Sequence, residues 1–304
     1  MTATLARLAG CTLLALPVAA PVTAQHGHAA VPESVEVPPD GVELPMMEFG
    51  GRPVVEVTIA DQGPFRFILD TGADISVVDA ALSRELSLPG LAPGIVVAAG
   101  GGDPPPAVSI RELHVGDAIL HGVIAAVMPL ATLLVGKNAP RGVLSAASFP
   151  GHLLTYDLRA KRIAIAEGEL GAADSSGIFQ YLASDALPTV PIRIAGREVR
   201  VHVDTGSASG LTLPARFLRE IELASEPRVS GKVKTPLGES SCSCAEVKGP
   251  VELGPFRLAP GEVEFADVQS GSDQPVGQIG CRVLRDFLVT LDSSHRRIRF
   301  ARPE

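Results

Sequence analysis

Phe65-Arg66-Phe67-Ile68-Leu69-Asp70-Thr71-Gly72-Ala73-Asp74 reads as an alternating strand running into a tight, acid-bearing turn. The same tripeptide returns 134 positions later in Asp204-Thr205-Gly206-Ser207-Ala208, and a strand-like segment, Val199-Arg200-Val201-His202-Val203, again leads into it. Arg66 and Arg200 fall in register. An apolar patch and a short helical pattern follow each motif, Leu82-Ser83-Arg84-Glu85-Leu86 in one half and Phe217-Leu218-Arg219-Glu220-Ile221 in the other. The halves also close alike: Thr155-Tyr156-Asp157 with Arg162-Ile163-Ala164-Ile165, then Thr290-Leu291-Asp292 with Arg297-Ile298-Arg299-Phe300, 135 positions on. Repetition of this kind is the mark of a duplicated unit.

With a usage of roughly 5 to 7% per residue type, one Asp-Thr-Gly is expected in about 0.06 of chains this long. A single copy reads as a strand-ending turn, in which Gly supplies the backbone angle and Asp or Thr bonds the local backbone. Two copies in matched context, sharing acid, hydroxyl and glycine, point instead to chemistry.

The rest of the composition narrows the class. The chain has 304 residues, 46% hydrophobic and 20% charged, enough to fill a sizeable core in two lobes. Aromatic residues are 4% with no Trp, while Gly (31) and Pro (26) are abundant, which favours short strands and turns over a helical bundle. A net charge of −8 without a basic run argues against nucleic acid or an anionic membrane surface as partner.

Residues 1–24 read as a secretory signal peptide: Arg7 precedes the apolar stretch Leu8 to Ala20, and Val22-Thr23-Ala24 supplies small residues before Gln25. Pro17 and Pro21 interrupt what would otherwise be a membrane anchor, so export to the periplasm or medium is expected without stable membrane insertion. The mature chain then holds Cys242, Cys244 and Cys281, an odd number that allows at most one internal disulfide. Cys242-Ser243-Cys244 lacks further ligands at metal-binding spacing, and no metal is expected there.

At its two motifs the sequence resembles the aspartic peptidases, specifically the retropepsin-like proteins of bacteria. Asp70-Thr71-Gly72-Ala73-Asp74 is close to the retroviral form, and Asp204-Thr205-Gly206-Ser207-Ala208 is nearer the pepsin form. The resemblance spans about Leu44 to Phe300 and implies an all-β, bilobal fold with tandem lobes at 45–168 and 186–302. An N-terminal tail or linker at 25–44 and a linker at 169–185 complete the expected organisation. It further implies an endopeptidase whose Asp70 and Asp204 share a proton and activate a water. Such a site needs no metal or organic cofactor, takes a peptide or protein as substrate, and here forms within one monomer as an intramolecular pseudo-dimer.

Thr71, Gly72, Thr205, Gly206 and Ser207 are expected to support the catalytic loops. Asp74, Gly100, Gly101 and Gly238 are candidate substrate-binding positions, the glycines in two hairpins that would cover the cleft. Ser207 is also expected to offer a hydroxyl near its aspartate, which Ala73 lacks, and so to make the two carboxyl groups unequal. Val143-Leu144-Ser145 departs from the family's apolar pair followed by Gly, kept in part as Gln278-Ile279-Gly280, so a rearranged first lobe is expected. A weakly active or inactive peptide-binding relative, or a purely structural exported β-protein, are the alternatives to the enzyme.

Overall fold

The computed structural model describes residues 13–14, 31–93, 105–182, 187–235, 238–267 and 276–303. In the first half, β1 (Arg52–Ile59) and β2 (Gln62–Asp70) form an antiparallel pair with Val55 opposite Phe67. Then come β3 (Ser76–Asp79), α1 (Ala80–Glu85), β4 (Ala107–Val115), β5 (Ala118–Met128) and β6 (Gly142–Ser145). Strand β6 lies between β2, to which it runs parallel, and β3, to which it runs antiparallel. That placement sets Ser145 directly opposite Asp70.

The first half closes with β7 (His152–Asp157) and β8 (Arg162–Glu167). The second half repeats the first with β9 (Thr189–Ile194), β10 (Arg197–Val203), β11 (Leu211–Leu213), β12 (Arg228–Thr235), β13 (Gly238–Glu246), β14 (Glu262–Phe265), β15 (Gly277–Ile279) and α2 (Cys281–Leu284). Here β15 runs parallel to β10 and antiparallel to β11, as β6 does between β2 and β3. Val203 faces Ile279, so Gly280 holds the place that Ser145 has in the first lobe.

The expected rearrangement of the first lobe is therefore corrected: the strand register survives the exchange of Gly for Ser. A Cβ on Gly280 would come 2.9 Å from the Ser207 carbonyl oxygen. In the first lobe the hydroxyl of Ser145 donates to the corresponding carbonyl, Ala73 O, at 2.6 Å. A contact that would crowd an apolar side chain becomes a hydrogen bond.

The helical patterns after the motifs differ in outcome. Asp79 caps α1, its Oδ1 accepting from the Ala81 and Leu82 amides at 2.9 and 3.4 Å. Pro214 at the equivalent start offers no side-chain cap, and Ala215–Arg219 winds as a 3-10 turn.

Both halves build the third sheet. Strands β16 (Leu288–Asp292) and β17 (Arg297–Ala301) end the chain, and β16 pairs antiparallel with β7, Thr290 opposite Thr155. On one flank lie β8 and Val42–Pro45; on the other lie β17 and Ile178–Gln180. Two segments expected as tail and linker are thus partly strand. The reason lies in Val42-Glu43-Leu44, whose alternation buries Val42 and Leu44 while Glu43 stays exposed. Ser34–Glu36 likewise pairs with β5. One continuous apolar core runs through both lobes and this sheet, with Phe67, Tyr156 and Phe300 among its largest wholly buried side chains. Burying each such side chain stabilises the fold by about 1.5–3 kcal/mol.

Candidate active site

Because β2 and β10 are equivalent strands, each delivers its aspartate to the same end of its lobe, and the two loops meet face to face. Asp70 is 0% exposed and Asp204 is 6% exposed. The threonines lock the loops reciprocally. Thr71 Oγ1 donates to Val203 O at 2.6 Å and accepts from the Thr205 amide at 3.0 Å. Thr205 Oγ1 donates to Leu69 O at 2.8 Å and accepts from the Thr71 amide at 3.0 Å. Four buried hydrogen bonds thus tie one lobe to the other immediately below the acids.

The glycines are required by proximity. A Cβ on Gly72 would lie 2.4 Å from Asp204 Cγ, and one on Gly206 would lie 2.2 Å from Asp70 Oδ2. Each carboxylate therefore occupies the space that a side chain on the opposite loop would need. Asp70 Oδ1 accepts from the amides of Gly72 at 2.7 Å and Gly206 at 2.9 Å. Apart from the facing carboxyl group, Asp70 Oδ2 and Asp204 Oδ1 have no hydrogen-bond partner among the described residues.

The pair is unequal, though not for the expected reason. Ser207 Oγ turns to Ser209, 2.8 Å from its Oγ and accepting from its amide at 3.3 Å, so the anticipated hydroxyl near Asp204 is corrected. Ser207 supports the loop through its carbonyl instead, which accepts from the Cys281 amide at 2.8 Å. The side chain that reaches Asp204 is Gln278, whose Nε2 donates to Oδ2. Arg52, only 6% exposed, crosses from the first lobe and donates from Nε to Gly206 O at 2.6 Å.

These contacts separate the two acids electrostatically. Asp70 is held well above the ordinary carboxylate range, first by burial and then by the charge of Asp204, against the pull of the two glycine amides. Burial raises Asp204 as well, but hydrogen bonds from Asp70 and Gln278 and the charge of Arg52 draw it back. Both carboxyl groups are thus held above the ordinary range by burial, and they titrate as a coupled pair. Below the loops, Tyr156 is wholly buried, and burial and the Asp70 charge suppress its ionisation. Cys281 is similarly inert: burial pushes its thiol pKa up, and its Sγ donates to Thr205 O at 3.1 Å.

Six of the sequence-derived residues thus converge: Asp70, Thr71, Gly72, Asp204, Thr205 and Gly206. Asp74 is half-buried after Ala73. Gly100 and Gly101 lie outside the described residues, while the backbone of Gly238 opens β13 opposite Thr235 of β12. Cys242, Cys244 and Cys281 are all free and buried. Sequence reasoning missed Arg52 and the role of Gln278. Their signal was weak but present, a cation opening an apolar strand in Arg52-Pro53-Val54-Val55 and an amide between Gly277 and Ile279.

Among the described residues no helix is long and apolar enough to cross a membrane. A search of the curated proteins finds no match. A family model described as aspartyl protease matches residues 55–146 and again residues 190–283, more than half of the chain in total, with one Asp-Thr-Gly loop inside each match. The chain belongs to the aspartyl protease family, as two tandem retropepsin-like units in a single polypeptide.

Proposed function

We propose that the protein is an aspartic endopeptidase whose Asp70 and Asp204 together activate one water against a peptide bond. The observation that carries this reading is the pair of buried carboxyl groups facing each other on loops locked by Thr71 and Thr205, both held above the ordinary carboxylate range by burial. Asp204, the ionised member, takes a proton from water as its oxygen bonds to the carbonyl carbon. Asp70 gives its proton to the carbonyl oxygen, producing a neutral tetrahedral diol. Collapse breaks the C–N bond with proton transfer to the departing nitrogen, and the pair again holds one proton.

The Thr71/Thr205 lock and the two glycines act before any of this, because they fix the carboxylates at a separation at which only one can ionise cheaply. The leader-like residues 1–24 support action outside the cytoplasm, on extended peptide segments lying between the lobes. The test is incubation of the mature chain with a diverse peptide mixture over a pH series, with products read by mass spectrometry. Internal cleavage that disappears in both Asp70→Asn and Asp204→Asn is expected. Equal cleavage by either folded variant would overturn the reading.

A further inference from the structure

The two lobes place different side chains at one equivalent position beside the dyad. In the first lobe β6 sets Val143 opposite Ile68, two residues before Asp70; in the second β15 sets Gln278 opposite His202, two residues before Asp204. Val143 packs into an apolar cluster with Val54, Ile68, Ala73 and Val77. Gln278 is 4% exposed and donates from Nε2 to Asp204 Oδ2. A buried amide costs stability unless it is bonded, and its bond here is to one carboxylate of the pair alone.

We propose that Gln278 is a positioning residue that holds Asp204 as the ionised member of the dyad and so sets the acid limb of the enzyme's pH profile. The proposal rests on the endopeptidase reading for its link to activity but not for its effect on titration. A hydrogen bond donated to a carboxylate favours the ionised form, and a donor present on one acid only breaks the near-symmetry of the duplicated site.

Other groups also face Asp204. Asp70 faces it from the end of β2 as its coupled partner, Arg52 brings a positive charge from the start of β1, and Cys281 lies close by on α2 as a neutral thiol. His202 lies on the same strand, with Nδ1 2.7 Å from Thr189 Oγ1, and Tyr156 lies below on β7, protonated. Of these, Arg52 works in the same direction as Gln278, and its Nε is committed to Gly206 O. Gln278 is the side-chain donor on the Asp204 carboxylate itself, beside the Gly206 amide of its own loop.

The orientation of the amide gives the proposal a sign. With Nε2 on Asp204, Oε1 has no partner among the described residues. The reversed amide would place oxygen against oxygen and would suit only a protonated Asp204. The two arrangements demand opposite shifts when the side chain is removed.

The experiment compares wild type with Gln278→Met, which keeps the length without the donor, and Gln278→Val, which installs the first-lobe residue. Carboxyl titration is followed by NMR on protein labelled with 13C at aspartate Cγ, and the pH dependence of kcat/KM is measured on a peptide that wild type cleaves. Both variants should raise the lower apparent pKa of the dyad by about one unit, which is a tenfold loss of the ionised pair below that limb. Activity should recover toward wild type at higher pH. A lower pKa that stays put or falls would overturn the proposal, as would a pH-independent loss of activity, the mark of a merely structural residue. If the wild-type protein cleaves nothing, the NMR titration still decides: a raised lower pKa supports the role of Gln278 while the endopeptidase reading fails by itself.

Discussion

Thr155 and Thr290, 135 positions apart, face each other in the register of the two central strands and meet hydroxyl to hydroxyl at 3.0 Å. In a chain duplicated at that same spacing, a residue paired with its own equivalent marks the approximate two-fold axis relating the halves. The axis lies within one polypeptide.

Assembly follows from that. Lobes tethered in one chain meet at an effective concentration in the millimolar range, far above that of a second chain in dilute solution. Specific activity should therefore be independent of protein dilution, and a hydroxyl-bearing transition-state analogue should bind once per chain. Mixing Asp70→Asn with Asp204→Asn protein should restore nothing; recovered activity would mean that sites form between chains.

The acids themselves carry the second prediction. Each single Asn substitution should lower kcat/KM by about 10³-fold or more, since either removes one half of the acid–base pair. Stability should move the other way for Asp70→Asn. A carboxyl whose folded pKa is raised favours folding at pH below its unfolded value near 3.9, and that contribution is lost as pH rises toward the folded pKa. At pH 7 the wild-type protein bears this penalty and the neutral amide does not. Asp70→Asn should thus melt higher than wild type at pH 7, with the gain shrinking below pH 4. A lower melting temperature at pH 7 would contradict the burial of a shared proton.

The threonine lock should separate by chemistry. Thr71→Val keeps the shape but strands the Val203 carbonyl and the Thr205 amide, both buried, and should cost about 2–4 kcal/mol in denaturant unfolding. Thr71→Ser retains both bonds and should stay within about 1 kcal/mol of wild type. Equal losses would place the effect in packing.

Proximity at the glycines predicts a steric loss. Gly206→Ala puts a methyl group 2.2 Å from Asp70 Oδ2 and should abolish peptide cleavage by displacing that carboxylate. Gly171→Ala, whose Cβ would meet nothing within 4 Å, serves as the control and should cleave as wild type does. Retention of activity in Gly206→Ala would show that the loops are looser than their four interlobe bonds imply.

Much of this was legible in the sequence because the signals were local. Two-residue alternation before each Asp-Thr-Gly specifies a half-buried strand, and the repeat of acid, hydroxyl and glycine identifies the loops, whatever the rest of the chain does. Only the tertiary structure decided how the two acids differ. Gln278 meets Asp204 across 74 positions and Arg52 meets Gly206 across 154, contacts created by how β15 aligns beside β10 and how one lobe abuts the other. The turn of Ser207 toward Ser209, the absorption of Ser145 by the Ala73 carbonyl and the entry of Val42–Pro45 into the shared sheet have the same origin. Alternation reports which face of a strand is buried, but not which buried donor will lie against which acceptor. Because an unpaired polar group is costly in the interior, that choice is made by packing of the whole molecule.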